Sequence, residues 1–395
     1  MSQNILVLNS GSSSIKFSLF DMLKGIERAS GLAERLGGND AELTIKSDAN
    51  KLTINLEKSD YKSTLLVIIE QLKALGLLTT LPIAVGHRVV HGGEAFSNSV
   101  IVDQHVINSI KACTPLAPLH NPANVAGIEA LQALYPEIPQ VVVFDTAFHQ
   151  TLKPEAFLYG VPYELYTNNG VRRYGFHGTS HHYVAEEAVK RLQLPSNHGI
   201  ITAHLGNGCS ACAVKDGKSV DTTMGMTPLE GLVMGTRSGD VDPGLHEFLS
   251  VQKGWDIAKI TSVLNKESGL LGLSGVSNDM RTLLDAADQG NEQAKLAVDV
   301  FCFRLARQIG GLAVSLSTFD ALVFTGGIGE NSRPIRQQVI DNLSLFGFKL
   351  DAQLNQKNGD EIGCISMDQS PKVLVINTQE EWMIAKKSHA LVTAH

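Results

Sequence analysis

Short apolar runs that stop abruptly on small polar residues set the pattern of this chain. Residues 4–9 are rich in Ile, Leu and Val and read as a buried strand. A turn of glycine and serines follows. Residues 15–20 alternate as a returning strand, and residues 21–25 read as the next turn. The same order recurs near the middle. Residues 200–205 form a strand, Gly206, Asn207 and Gly208 a turn, and residues 210–214 a second strand. Lys215, Asp216 and Gly217 then make an Asp-Gly hairpin turn. The repetition is one of pattern, not of identity. It predicts duplicated domains facing each other across a cleft.

Further strand candidates each run into a chemically loaded turn. Residues 83–85 lead into Gly86, His87 and Arg88, residues 141–144 into Asp145, and residues 321–324 into Thr325 and Gly326. In open α/β sheets ligands bind beyond the carboxyl ends of strands, so this placement marks a site. Helices fill the gaps at residues 180–192, 292–316 and 334–343, the last with Ser332 as its cap. Strands mixed with helices of this length predict an α/β fold. The expected division is 1–145 plus 383–395 for an N-terminal domain. Residues 146–382 would form a C-terminal nucleotide-binding and dimerisation domain.

Composition narrows the function. The 395 residues are 43% hydrophobic and 18% charged, an ordinary globular balance for two domains. The net charge of −7, with no block of Lys or Arg, gives no field for nucleic acid or an anionic membrane. Anionic ligands must be held by local groups. The opening MSQNILVLNSGSSS has no basic region and too short an apolar run for a signal peptide. No stretch approaches the roughly 20 apolar residues that cross a bilayer. With five scattered cysteines, a reducing cytoplasm is the expected location. Cys209 and Cys212 form one C-x-x-C. It reads either as a redox or zinc fragment or, preferably, as two small residues in a strand.

Phosphates need backbone N–H groups or short hydroxyls close by. Residues 11–14, 206–208 and 326–329 offer them. None is a Walker A loop, and none carries G-x-G-x-x-G. Arg88 and Arg237 lie in glycine-flanked contexts, where a guanidinium can hold a carboxylate or phosphate by two bonds. Asp145 is a helix cap or a magnesium-binding or orienting group. Glu380 is a first-turn helix acid by its position alone. His177 stands before a helix start, where it could donate to a phosphate oxygen. His87/His91 and His177/His181 have i,i+4 spacing, but H-E-x-x-H is absent and zinc is disfavoured.

Taken together these segments resemble the acetate kinases, sister to the propionate and butyrate kinases, within the sugar kinase/Hsp70/actin superfamily. The resemblance rests on NSGSSSIK (9–16), GHRVVHGGE (86–94), APLHNP (117–122), FDTAFH (144–149), RYGFHGTSH (173–181), HLGNG (204–208), the stretch 221–240, KESGLLGL (266–273) and FTGGIGENS (324–332). It covers almost the whole chain. It implies two domains with duplicated ribonuclease H-like cores around a central cleft, a homodimer, and reversible transfer of phosphate from ATP to acetate with Mg²⁺ (Mn²⁺ able to replace it).

By this resemblance Arg88, Arg237, Asp145, His177 and Asn207 are catalytic. Arg88, Val90, Leu119, His120, Phe176 and Pro228 bind the acid. Ser12, Ser14, Lys16, His204, Leu205, Gly206, Asn207, Gly208, Asp279, Met280, Arg281, Gly327, Ile328, Gly329, Glu330 and Asn331 face the nucleotide. Asn9 and Glu380 hold the metal. Valine at 90 narrows the acid pocket and favours acetate over propionate. The chain departs from the family at Gln379, where Asn is usual, and at Cys209, where Gly or Ala is common. A non-catalytic ATP-switched protein of the actin/Hsp70 kind would keep the glycine turns but give Arg88 and Arg237 no joint task. A sugar kinase would need a base for a neutral hydroxyl, whereas a carboxylate is already ionised.

Overall fold

The computed structural model describes residues 3–47 and 51–394. The chain forms two compact units, Met1–Gln150 with Gln379–His395, and Thr151–Thr378.

The first unit is built on an eight-stranded sheet. Its strands are β1 (Asn4–Gly11), β2 (Ser14–Asp21), β3 (Ile26–Glu34), β4 (Glu42–Ser47), β5 (Lys51–Asn55), β6 (Ala84–Val89), β7 (Val100–Ile101) and β8 (Gln140–Phe144). They lie in the order β5-β4-β3-β2-β1-β6-β8-β7. The strands β1 to β5 form an antiparallel meander, while β6 pairs parallel with both β1 and β8. Alternation along β1 sends Leu6 and Leu8 to one face, against Leu65, Ile68, Ile69 and Leu72 of helix Tyr61–Ala74. Ile5 and Val7 go to the other, against Ile384 and Ala385 of helix Glu380–Thr393. Both faces are thus buried, which is why β1 reads as a continuous apolar run. Gly11 pairs with Ser14, so only Ser12 and Ser13 remain in the turn.

The second unit holds β9 (Gly199–Leu205), β10 (Cys209–Lys215), β11 (Lys218–Thr222), β12 (Ala321–Thr325) and β13 (Lys372–Val375), in the order β11-β10-β9-β12-β13. Again the first three strands are antiparallel and the last two run parallel to the first. The series β3-β2-β1-β6-β8 has the same order and directions, so the repeated pattern of the sequence is a repeated topology. Asp216 and Gly217 both have positive φ, 49° and 74°, as a two-residue hairpin turn of this kind demands. Helix Gly178–Leu192 covers one face of the sheet through Val184 and Ala188, which pack on Ile200, Val323 and Leu374.

Three local expectations shift. The long helix spans Glu292–Leu312, and Ala313–Ser315 tighten into a 3₁₀ turn after the helix-weakening Gly310 and Gly311. The segment Gly326–Asn331 is a short helix, not an open turn. Ser332 sits at the N-cap of helix Arg333–Asn342 but makes no side-chain cap bond. Pro334 occupies the first turn and lacks an N–H that a cap would accept.

Candidate active site

In the first unit the parallel strands end in charged groups. Arg88, on β6, donates from Nε to Asp145 Oδ1 at 2.9 Å and from Nη2 to Oδ2 at 2.6 Å. This is a two-bond fork, and the aspartate, one residue past β8, is buried. The nearby carboxylate raises the guanidinium's pKa well above its usual range, against the opposing effect of burial. Asn9 and Lys16 are cross-strand partners in the β1–β2 hairpin. Lys16 is exposed and its Nζ pairs with Glu381. Ser12 is exposed and Ser14 half-buried. Val90, just beyond β6, is buried, and His120 is half-buried at the head of helix Asn121–Leu134. Leu119 is 66% exposed.

In the second unit several predicted residues converge on the β9–β10 hairpin. A methyl group on Gly208 would lie 3.4 Å from Cε1 and Nε2 of His177 and 3.5 Å from Nη1 of Arg237. The rings of His177 and His204 are 4.4 Å apart. His177 caps helix Gly178–Leu192 in a left-handed conformation, φ 56°. A left-handed conformation costs a non-glycine residue backbone energy that its surroundings must offset. Its Nδ1 shares a 2.9 Å hydrogen bond with Ser210 Oγ, which also bonds His181 Nε2 at 2.7 Å. His204 Nδ1 bonds Ser180 Oγ at 2.8 Å. Asn207 is locked in place: its carbonyl accepts from Gly235 N at 2.9 Å, and any side chain at 235 would strike its Oδ1 at 2.0 Å.

Arg237 is half-buried. It donates from Nη1 to the Pro228 carbonyl at 3.1 Å and touches Met234 Sδ at 3.8 Å. Among the described residues no carboxylate pairs with it, and burial lowers its pKa. Phe176 is buried and Pro228 half-buried. Of the expected acid-pocket wall, therefore, Val90 and Leu119 belong to the first unit and Phe176 and Pro228 to the second.

Beside the hairpin, within the second unit, lies a cavity of about 720 Å³. Gly206, Asn207, Asp279, Met280, Arg281, Gly327, Ile328 and Asn331 line it, together with Asn278, Leu284, Asp285, Ser332, Arg333 and Pro334. Its volume lies in the range of small-molecule sites. Asp279 caps helix Met280–Asp288 and takes three bonds from Arg281, one from its backbone N–H and two from its guanidinium, which hold its carboxyl down at about 2. Leu205, Gly329 and Glu330 do not line the cavity. The Glu330 carboxylate accepts from Gly326 N at 2.9 Å and Thr378 N at 3.0 Å, so it orders the turn from behind. Gly326 needs its positive φ of 74° and its missing side chain, because a methyl group there would meet Leu205 backbone at 2.8 Å.

Sequence reasoning missed the residues that brace these turns. Arg336 is fully buried and donates all five of its N–H groups. Gly329 and Glu330 carbonyls each accept at 2.9 Å, and Asn355 and Asn358 take the rest. With no carboxylate among these partners, burial pulls its pKa down to about 10. Nothing in the local pattern separates it from a surface arginine on a polar helix. Ser210 was hidden as a small polar residue in a strand, and the His177/His181 spacing gave no sign that His181 bonds Ser210.

Among the described residues no group of three or more His, Cys, Asp or Glu side chains is arranged to hold a metal ion. Magnesium bound with substrate phosphates needs only one or two carboxylates and keeps several waters. Glu380 suits that use. Its carboxyl is half-buried and pushed up to about 7, by burial first. Arg88 and Lys16 oppose the shift; Asp145 and Glu381 add to it. A carboxyl crowded by two other acids gains from a cation.

A duplicated sheet with polar groups at the ends of its parallel strands, and a cavity of small-molecule size beside its second copy, defines a two-unit α/β protein. The comparisons with known proteins narrow the class. The Acetokinase family matches residues 4–386, and the chain belongs to that family. It is 53% identical to the acetate kinase of Deinococcus radiodurans over 390 residues, 98% of each chain. The crystal structure of Porphyromonas gingivalis acetate kinase aligns with a TM-score of 0.94 and 43% identity, covering 99% of this chain and 100% of that one. A propionate kinase from Francisella tularensis subsp. tularensis SCHU S4 aligns with a TM-score of 0.93 and 46% identity, over 99% and 100% of the two chains.

Proposed function

We propose that this chain transfers the γ-phosphoryl group of ATP to acetate, reversibly, giving acetyl phosphate and ADP. One observation carries the reading. The 206–208 hairpin borders the 720 Å³ cavity through Gly206 and Asn207, and abuts His177 and Arg237 through Gly208. A nucleotide lodged in that cavity would present its phosphates to an arginine that no carboxylate neutralises.

The chemistry asks for little covalent help. An acetate oxygen attacks the γ-phosphorus and the bond to the β,γ-bridging oxygen breaks, with ADP carrying away the electron pair. Acetate is ionised near neutral pH, so no base is needed. From the first unit, Arg88 grips the acid carboxylate, with Asp145 fixing its plane. Val90, Leu119 and His120 belong to the acid's surroundings, and Asn9, Ser12, Ser14 and Lys16 to the phosphates'. In the second unit, Arg237, His177 and Asn207 are the groups suited to charge developing on the equatorial oxygens, and Phe176 and Pro228 are apolar surfaces suited to the acid. Asp279, Met280, Arg281, Gly327, Ile328 and Asn331 hold the nucleotide. Asn9 and Glu380 would hold magnesium, which offsets the charge of the phosphates when bound.

The test is acyl-hydroxamate formation with ATP, Mg²⁺ and hydroxylamine, comparing kcat/KM for acetate, propionate and butyrate. Acetate leading supports the reading. Propionate leading keeps the reaction class and moves the substrate toward that named for the Francisella relative. No product from protein that binds ATP points to a nucleotide-switched protein. The expected homodimer would appear in light scattering at twice the 42.5 kDa chain mass. Five free cysteines fit a reducing compartment such as the cytoplasm. No helix among the described residues is long and apolar enough to cross a membrane.

A further inference from the structure

Helix Asn121–Leu134 buries two asparagines, Asn121 and Asn124, three positions apart and therefore on one face. Their amides are bonded in only one orientation. Asn124 Oδ1 accepts from Val90 N–H at 3.2 Å, and its Nδ2 donates to the Ser10 carbonyl at 2.8 Å. Val90 N–H can only donate and the Ser10 carbonyl can only accept, so turning the amide over would lose both bonds. Asn121 acts the same way one turn earlier. It accepts from His91 N–H at 3.2 Å and donates to the His91 and Ile110 carbonyls.

Asn124 thus joins two segments. Ser10 lies in β1, two residues before the hairpin turn of Ser12 and Ser13. Val90 follows Arg88 by two positions. The helix also presses close to the hairpin, since a methyl group on Gly127 would lie 2.3 Å from Ser10 Oγ. Asn124 is only 3% exposed, and its amide has backbone partners on both sides. A buried amide with both ends satisfied fixes geometry strongly, because any displacement strands a polar group away from water.

We infer that Asn124 is a positioning residue that ties the acid-pocket wall at Val90 to the phosphate-binding hairpin at Ser10, so that it shares in setting both acid selectivity and nucleotide affinity. The inference rests on the reading of Val90 as a wall of the acid pocket. It assigns Asn124 no contact with substrate. The acceptor oxygen governs the backbone of Val90, and the donor nitrogen governs the hairpin.

The two ends can be tested separately. Asn124→Ala removes both bonds. Asn124→Asp keeps an oxygen toward Val90 N–H but sets a second oxygen against the Ser10 carbonyl. Steady-state hydroxamate assays would give kcat/KM for acetate and propionate and KM for ATP, with Tm recorded for each variant. In Asn124→Ala the acetate-over-propionate ratio should fall roughly threefold to tenfold, a partial loss of the discrimination one methylene allows. Its KM for ATP should rise as well. In Asn124→Asp the ratio should stay within about twofold of the parent while KM for ATP still rises. A purely structural role would lower Tm and kcat for both acids together and leave the ratio alone in both variants. That outcome overturns the inference, as does an equal change of ratio in the two variants. If the alanine variant does not fold, the split seen in Asn124→Asp decides alone. Val90→Ala separates the underlying reading. If it leaves the ratio unchanged, Val90 is not the wall and the inference falls with it. If it relaxes the ratio while neither Asn124 variant changes ratio or KM for ATP, only the inference falls.

Discussion

Arg88 in the first unit gives two hydrogen bonds to the buried Asp145, whereas Arg237 in the second gives its bonds to the Pro228 carbonyl and the Met234 sulfur. The carboxylate raises the pKa of Arg88, and burial lowers that of Arg237. The first guanidinium is neutralised and held in one plane. It can present a fixed edge to a substrate carboxylate, but its net field is small. The second keeps its charge in a half-buried place where, among the described residues, no carboxylate pairs with it. Such a group is poised for negative charge that appears only during reaction. Under the proposed function one residue type would serve ground-state positioning in one unit and transition-state charge in the other, and the neighbours make the difference.

That contrast can be broken by substitution. Arg237→Lys, which keeps the charge but loses the fork, should lower kcat by about 10²–10³-fold with the fold intact. A near-parental rate in a folded variant would remove Arg237 from the transition state. Asp145→Asn should cost less, up to about 10²-fold in kcat/KM for acetate, because Arg88 keeps its charge and loses its orientation. Its KM for acetate should rise more than its KM for ATP, and the reverse ranking would count against the positioning role. Val90→Ala should narrow the acetate-over-propionate ratio by about tenfold, within the range of one methylene in an apolar pocket.

The smallest effect sharpens the comparison from the next residue along β6. His87 is buried, bonded to Gln140 at 2.7 Å, and desolvation lowers its pKa from 6.5 to about 4. The unfolded chain then binds the extra proton between about 4 and 6.5, so stability rises with pH across that window and is lost on acidification. The Tm of the parent should fall more steeply between pH 6.5 and pH 4 than that of His87→Gln. Parallel curves would mean that His87 is not held neutral.

Much of this was written in the local pattern. Strand β1 ends in small residues, β9 runs straight into Gly206, Asn207 and Gly208, and the Asp-Gly turn follows β10, so the two hairpins and their repetition were legible from residue order. The antiparallel extension β3 to β5 was not. In β5 the sequence KLTIN does alternate, with Leu52 and Ile54 half-buried between exposed residues, but two half-buried apolar positions in five make a weak signal. Of the site, the family resemblance located most of the cavity lining. It also placed Glu330 toward the nucleotide, where the carboxylate instead bonds backbone N–H groups.

The sequence by itself determined which turns carry glycine and which strands end in charge, because these follow from the conformational freedom and chemistry of neighbouring residues. Only the tertiary structure decided that Arg88 has an acid 57 positions away while Arg237 has none among the described residues, and that Arg336 and Asn124 lie behind the turns they support. Partners so far apart in the chain leave no periodic trace, and the electrostatics of a guanidinium depend on the groups that folding brings within a few ångströms.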